Sequence, residues 1–134
     1  VWDELGKPLG EVLLTPTEIY VKPVLAALKA SLIHGISHIT GGGFYENIPR
    51  SVPDGFCARI DRSAIRTPQI FSILQKRAQI SEHDMFNTFN MGVGMTMIVT
   101  PDTADAALEA LHEAGCRAYV LGEITEGEDK VAIC

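Results

Sequence analysis

The pattern of apolar and polar residues divides the chain into short strands and helices. Alternating apolar residues are typical of a strand with one covered face, and apolar residues every three or four positions are typical of an amphipathic helix. This pattern predicts strands at residues 12–14, 32–39, 56–60, 91–100, 118–124 and 130–134, and helices at 18–31, 68–78, 81–86 and 101–114. The order of these elements predicts an α/β sandwich with a mixed β-sheet in a single domain.

Two helix starts carry polar side chains of the capping type. Ser81 and Asp84 stand three residues apart, as in a capping box, at the start of the helix at 81–86. Thr15 and Thr17 precede a helix that we expect to begin near Pro23, because proline is tolerated in a first turn but not in a helix interior. Their hydroxyl groups either cap this helix or line a ligand cleft, and the cap is favoured.

Three consecutive glycines at positions 41–43 interrupt the pattern between a strand and a short helical turn that we expect Pro49 to end. Glycine buries no side chain and loses the most backbone entropy on ordering, so such a run suits a sharp bend or a close approach to a ligand. Free N–H groups at a strand-to-helix turn bind anions, and Arg50 adds a guanidinium group suited to phosphate. The turn lacks the residues of a P-loop or of a dinucleotide-binding loop. On physical grounds alone, a purely structural turn is equally well supported.

His34 and His38 flank Ile36 just before this turn. In a strand they share one face, whereas the same spacing in a helix would suit a metal ion. Neighbouring glycines favour the strand, and no third ligand lies nearby in the sequence, so a structural pair is favoured over a metal site. His38 leads directly into the glycine turn, where an imidazole can contact a phosphate or transfer a proton near neutral pH.

The formal net charge of −6 is unevenly distributed along the chain. Residues 1–100 carry nine acidic and nine basic side chains, whereas residues 101–134 carry eight acidic and two basic ones. Nucleic-acid binding requires a basic surface, so we do not expect a nucleic-acid partner. The acidic last third is interpreted as a solvated face, and it leaves the glycine turn without a local excess of negative charge.

Bulk composition is typical of a globular domain of 134 residues that is 46% hydrophobic and 21% charged. No apolar run approaches the length of about 20 residues that spans a membrane, so no membrane partner is expected. The three cysteines, Cys57, Cys116 and Cys134, fit neither a disulfide framework nor a zinc motif, and we expect reduced thiols in the cytoplasm. The chain begins with Val1 rather than methionine and is interpreted as a domain of a longer protein.

Three linked motifs resemble one protein family. The segment from His38 to Arg50, His-Ile-Thr-Gly-Gly-Gly-Phe-Tyr-Glu-Asn-Ile-Pro-Arg, resembles the C-terminal domain of aminoimidazole ribonucleotide synthetase, the cyclo-ligase of purine synthesis. Leu-Leu-Thr-Pro-Thr-Glu-Ile-Tyr before it and Thr-Phe-Asn-Met-Gly-Val-Gly-Met after it fit the same family in order and spacing, so that the match runs from about residue 9 to the end. Glu18 stands where we expect a basic residue, and Met91, where we expect a cysteine, is interpreted as a packing substitution.

The resemblance implies both a fold and a reaction. The fold is a three-layer α/β (α+β) sandwich, partly like the ferredoxin fold. In the reaction, ATP phosphorylates the formamide oxygen of formylglycinamidine ribonucleotide, an amidine nitrogen attacks that carbon, and phosphate leaves. The resemblance further implies that residues 1–134 are the C-terminal domain lining the substrate cleft, that ATP and Mg2+ bind mostly to an absent N-terminal domain, and that the full-length enzyme is a homodimer.

The resemblance also assigns candidate site residues within this reaction. We expect His38 to transfer a proton and the backbone at the glycine turn to stabilise a phosphate or its developing charge. The remaining candidates position the ribonucleotide. The backbone donors are Thr40, Gly41, Gly42 and Gly43, and the positioning side chains are Asn47, Arg50 and Asn90.

Two alternatives remain beside this interpretation. The first is a sister enzyme of the same superfamily, such as formylglycinamidine ribonucleotide synthase, thiamine-phosphate kinase, selenophosphate synthetase or a hydrogenase-maturation factor. The second is a non-catalytic module whose glycine turn is structural and whose role is dimerisation. The isolated domain is expected to fold but to lack cyclisation activity.

Overall fold

A computed structural model describes residues 3–134 of the chain. The described residues form helices and strands joined by short turns. The helices are α1 (Leu9–Leu13), α2 (Val21–Ala30), α3 (Gly43–Asn47), α4 (Gln69–Ala78), α5 (Glu82–Thr88) and α6 (Ala104–Glu113). The strands are β1 (Ile33–His38), β2 (Phe56–Ile60), β3 (Met95–Val99), β4 (Gly122–Glu126) and β5 (Val131–Ile133).

The strands form two sheets. β1 pairs antiparallel with β3, so that His38 lies opposite Met95. In the second sheet β2 lies between β4, to which it is antiparallel, and β5, to which it is parallel. The predicted α/β class with a mixed sheet is therefore confirmed, and the antiparallel β1–β3 pair stands beside the mixed sheet as a second one.

The hydrophobic core lies beneath α3 and α5. Phe44 on α3 and Phe86 on α5 are fully buried, and their rings meet edge to face with centroids 5.0 Å apart. Burial of two aromatic side chains contributes several kcal/mol, on the order of 2–3 kcal/mol each. Met91 also lies in this cluster, consistent with its interpretation as a packing substitution. The core therefore anchors α3, the helical turn that follows the three glycines.

The strand predicted at residues 12–14 is wrong, because these residues belong to α1 and the turn after it. Pro8 accepts backbone hydrogen bonds from both Glu11 and Val12, which starts a helical turn. No strand pairs with this segment, and Leu14 is 82% exposed. Three apolar residues in a row are compatible with either element, and only the backbone bonds to the proline carbonyl decide between them.

Helix α2 is confirmed, with Pro23 in its first turn. The predicted cap is not found: its N-cap residue is Tyr20, and the Thr15 hydroxyl donates instead to the carbonyl oxygen of Glu11. The buried face of α2 is small, comprising Pro23 and Ala27. An opposite face is aliphatic and solvent-exposed. This exposed stripe consists of Val21, Leu25 and Leu28, spaced as the seam of a helix that packs against a partner, and Leu32, just beyond the end of α2, is exposed as well.

The short α-helix after the glycines ends at Asn47, before Pro49, but the chain does not leave the helical region there. Ile48 keeps helical backbone angles, φ −61° and ψ −42°, and the chain continues through Pro49 as the 3-10 helix Ile48–Ser51. The expectation that Pro49 pushes its predecessor out of the helical region is therefore wrong. The buried side chain of Ile48 packs in the core cluster, and this tertiary contact outweighs the local preference.

Several predicted boundaries shifted. The strand expected at 91–100 begins only at Met95, because Met91 and Gly92 adopt positive φ angles in a turn closed by the Asn90 carbonyl. The strand expected at 118–124 is displaced to Gly122–Glu126 by its register on β2, where Ile60 lies opposite Gly122.

The strands predicted at residues 32–39 and 56–60 are confirmed, as are the helix at 81–86 and its Ser81–Asp84 cap. Within residues 3–134, no helix is long and apolar enough to cross a lipid bilayer.

Candidate functional site

The glycine turn connects the end of β1 to α3. Strand β1 continues one residue beyond His38, where the Ile39 amide donates to the carbonyl oxygen of Gly94 at 2.8 Å. The chain then reverses through Gly42, whose φ of 93° is one that residues with a side chain rarely adopt. The Gly43 amide donates to the Thr40 carbonyl at 3.0 Å and closes the turn.

Gly43 is required by packing. Its φ is 56°, and a β-carbon placed on it would collide with the carbonyl oxygen of Phe86 and lie 2.9 Å from that of Phe89. Because its amide is used inside the turn, Gly43 does not present an N–H group to solvent. The part of the sequence interpretation that made Gly43 a backbone donor to a ligand therefore does not fit this geometry.

Gly41 and Gly42 are placed differently. Gly41 is exposed, and a β-carbon added to it would meet no atom within 4 Å. Among residues 3–134, the amides of Gly41 and Gly42 donate to no protein acceptor. Two free N–H groups on an exposed turn are the arrangement that binds anionic oxygen atoms in backbone nests. Thr40, which is also exposed, contributes its carbonyl oxygen to the turn.

Asn47 lies beneath the turn and holds it from inside. Its side chain is 2% exposed, and Nδ2 donates to the carbonyl oxygen of Gly43 at 2.8 Å and to that of Gly41 at 3.1 Å. Both N–H bonds of the amide group are therefore used within the loop. The structure brings Asn47 to the predicted site, but in contact with the protein backbone.

Glu46 was not singled out from the sequence, although it stands one helical turn after Gly42. Its side chain folds back over Gly42, so closely that a β-carbon there would collide with the carboxylate. This places a negative charge beside the free amides. The exposed side chain can rotate away, since the structure shows no hydrogen bond or ion pair for it among residues 3–134.

His38 is exposed at the end of β1 and contacts Tyr20, a residue that sequence reasoning did not connect with it. The two rings meet edge to face with centroids 5.9 Å apart. The Tyr20 hydroxyl lies against the α-carbon of Gly94, which has no side chain to displace it. Burial, followed by the charges of Glu18 and Cys116, raises the pKa of Tyr20, so the hydroxyl stays protonated at neutral pH.

The two outer candidates lie on different segments of the chain. Arg50 is exposed within the 3-10 helix that follows α3. Asn90 follows Phe89, whose carbonyl oxygen faces Gly43, so this segment lies next to the glycine turn. The Asn90 Oδ1 atom accepts the Gly92 amide at 3.0 Å, which gives it a local role at the turn before β3.

An aromatic pair lies further along the same helices. The rings of Tyr45 on α3 and His83 on α5 are stacked, with centroids 4.5 Å apart. Burial and the nearby Glu82 carboxylate raise the pKa of Tyr45. The side chain of His83 is 67% exposed. The contact fixes His83 against α3 rather than against the glycine turn.

A surface depression lies away from the glycine turn. An open depression of about 390 Å³ lies between the start of α2 and the end of α6, lined among others by Lys22 and Gly115. It includes none of the residues of the glycine turn.

His34 and His38 share the exposed face of β1, as the strand interpretation predicted. Within residues 3–134, no group of three His, Cys, Asp or Glu side chains is arranged to hold a metal ion.

Comparison with known proteins identifies the family of the chain. The sequence profile of a family described as AIR synthase related protein, C-terminal domain, matches residues 1–134. The chain is 50% identical over 133 residues to a protein of Caldicellulosiruptor saccharolyticus, covering 99% of this chain and 39% of that protein. It is 53% identical to proteins of Shouchella clausii and Magnetococcus marinus, covering 95% and 96% of this chain and 37% of each relative.

All three relatives are named phosphoribosylformylglycinamidine cyclo-ligase. The chain spans about two fifths of their length. The profile match covers every residue of the chain, and it agrees with the resemblance carried by the glycine turn and its two flanking motifs. The chain therefore belongs to the family of C-terminal domains of AIR synthase related proteins.

Proposed function

We propose that this chain is the C-terminal domain of a phosphoribosylformylglycinamidine cyclo-ligase and forms one wall of its substrate cleft. The names of relatives about 50% identical to it support this activity. The structural observation that carries the proposal is the pair of free amides at Gly41 and Gly42 on an exposed turn next to His38. The reaction closes an imidazole ring, using ATP and releasing ADP and phosphate.

The chemistry assigns different tasks to the residues of the turn. A phosphorylated formamide oxygen is the leaving group of the ring closure, and it carries developing negative charge. The amides of Gly41 and Gly42, with Thr40 at the turn, stabilise this charge or the ribonucleotide phosphate. His38 takes the proton that the attacking amidine nitrogen loses. Arg50 and Asn90 orient the ribonucleotide from the two sides of the turn.

ATP and Mg2+ belong to the part of the longer protein outside these residues. No step of this proposal is assigned to a metal held by this domain. The chain alone is therefore expected to be inactive. Its site becomes complete when the ATP-binding domain faces the glycine turn in the cytoplasm, where purine precursors are made.

The exposed stripe on α2 supports a partner in the longer protein. Leu25 and Leu28 are 54% and 48% exposed, and large aliphatic patches of this kind are typical of interaction surfaces. We propose that the stripe packs against the N-terminal domain. The full-length enzyme is proposed to be a homodimer that forms through another surface. Lys22 and Lys29 flank the stripe, so that a second copy of the same helix would bring like charges together.

A chimera tests the proposed activity. The 133 matched residues of the Caldicellulosiruptor saccharolyticus relative are replaced by this chain, and aminoimidazole ribonucleotide formation is measured with and without ATP. We expect ATP-dependent ring closure by the chimera and no ring closure by residues 1–134 alone. In the chimera, H38N should reduce kcat at least about a hundredfold. A chimera that folds with the thermal stability of the relative but forms no product would contradict the proposal.

A further inference from the structure

The side chain of Asn47 is the only amide group on α3, and its contacts differ from those of a ligand-binding residue. The group is almost fully buried, and Nδ2 donates to the carbonyl oxygens of Gly41 and Gly43. Since an amide nitrogen has two N–H bonds, neither remains for a substrate. Its oxygen atom is an acceptor and would repel a phosphate.

We propose that Asn47 is a positioning residue that sets the direction of the free amide of Gly42, next to that of Gly41. A peptide unit is planar, so a carbonyl group held on one side turns the N–H group of the same unit to the other side. Asn47 pulls the Gly41 carbonyl inward, and this directs the N–H group of Gly42 away from the core. Its second bond, to Gly43, holds the other end of the turn against α3.

Without the hydrogen bonds of Asn47, the backbone at Gly41 and Gly42 would not stay in one conformation. Gly41 and Gly42 have no side chains to limit their dihedral angles, and Gly42 reverses direction through a positive φ. The residues on either side are fixed by other contacts: the Ile39 amide is bonded to Gly94, and Gly43 is packed against Phe86. The two hydrogen bonds of Asn47 are therefore the side-chain contacts that order the segment between these anchors.

The inference rests on the proposed anion site and can be tested separately from it. Binding of inorganic phosphate to residues 1–134 is followed through the amide resonances of Gly41 and Gly42, in the wild type and in N47A and N47D. The side chain of Asn87, on α5, makes no hydrogen bond among residues 3–134, so N87A provides the matched control. We expect phosphate to bind N47A at least tenfold more weakly than the wild type, and N87A within twofold.

The variant N47D supplies a second readout that loss of packing would not produce. An ionised carboxylate facing two carbonyl oxygens cannot donate, whereas a protonated one donates a single hydrogen bond. Burial and the carbonyl oxygens raise the pKa of such a group. The affinity of N47D relative to the wild type should therefore increase as the pH falls from 8 to 5, while the ratio for N87A stays constant.

The outcomes distinguish the two proposals. Absence of phosphate binding by the wild type would overturn the anion site together with this role of Asn47. Phosphate binding by the wild type with equal affinity in folded N47A would overturn the positioning role alone. If N47A does not fold, N47D decides: an affinity ratio to the wild type that does not change with pH contradicts the inference.

Discussion

The α-carbon of Gly43 lies directly against the carbonyl oxygen of Phe86, with no room for a β-carbon between them. This contact joins the glycine turn to α5 at the point where Phe44 and Phe86 pack together in the core. The turn is therefore built into the hydrophobic core on one side and open to solvent on the other. Its third glycine supports the structure, and its first two face outward.

The contact at Gly43 predicts a difference between neighbouring glycines. G43A must either move the backbone of α5 or leave a non-glycine residue at φ 56°, and both are unfavourable. We expect a loss in the free energy of unfolding on the order of 3 kcal/mol or more. G41A is the matched control, because a β-carbon there meets open space, and its cost is expected below about 0.5 kcal/mol. Urea denaturation of both variants measures the difference, and equal stabilities would contradict the packing role of Gly43.

The contact between Tyr20 and Gly94 predicts coupling between two substitutions. G94A places a methyl group where the Tyr20 hydroxyl lies, so the tyrosine ring must move and its contact with His38 is lost. We expect G94A to reduce stability by roughly 1–3 kcal/mol. In Y20F/G94A the oxygen atom is absent, and part of the loss should be recovered, at least about 0.5 kcal/mol.

A double-mutant cycle from denaturant unfolding measures this coupling. The Y20F single variant provides the reference, since it removes the hydroxyl without adding a group. Strict additivity of the two substitutions would show that Tyr20 and Gly94 do not restrict each other.

The carboxylate of Glu46 lies next to Gly42, so removing its charge should strengthen anion binding, whereas N47A should weaken it. E46Q removes the negative charge that competes for the free amides while keeping the length of the side chain. We expect phosphate to bind roughly two- to fivefold more tightly at low ionic strength, with the gain decreasing as salt is added. Titration calorimetry at two salt concentrations checks the prediction, and E128Q, on the distant turn before β5, serves as the control.

The ion pair between Asp54 and Lys130 predicts a loss of stability in acid. The hydrogen bond and the charge of Lys130 at 2.7 Å lower the pKa of Asp54 below its ordinary value. The native state therefore binds this proton less readily than the unfolded state. The contribution is present above the ordinary aspartate pKa of about 4 and disappears as the pH falls through the lower pKa of the native state.

Thermal unfolding from pH 7 to pH 2 measures this contribution. D54N should melt at a slightly lower temperature than the wild type near neutral pH, and the two curves should converge in acid. The effect is expected to be smaller than that of G43A, because Asp54 is fully exposed and its interaction is screened by solvent. A constant difference at every pH would show that the ion pair does not cause it.

Local signals in the sequence predicted the elements around the candidate site, and they did not predict contacts between residues far apart in the chain. The strand before the glycines and the Ser81 cap follow from residues close together in the chain, and both are confirmed. The contact of Tyr20 with His38 joins residues 18 positions apart, and no periodic pattern indicates it. The different roles of Gly41 and Gly43 also depend on where Phe86 lies in space, which the three identical letters do not encode.

Two elements were also predicted wrongly, each for its own reason. Ile48 remains helical before a proline because its side chain is needed in the core. The segment after Leu9 forms a helical turn because its amides reach the carbonyl of Pro8. In both places a tertiary or backbone contact outweighed a preference of the local sequence.

The central claim is that the amides of Gly41 and Gly42 bind an anionic group. Titration of the labelled chain with ribose 5-phosphate, followed by nuclear magnetic resonance, tests it most directly, with ribose as the uncharged control and Gly55 and Gly115 as turn glycines outside the site. We predict saturable shifts of the Gly41 and Gly42 amide resonances with ribose 5-phosphate and none with ribose. Unchanged resonances of both glycines at saturating ligand, in a folded chain, would contradict the account.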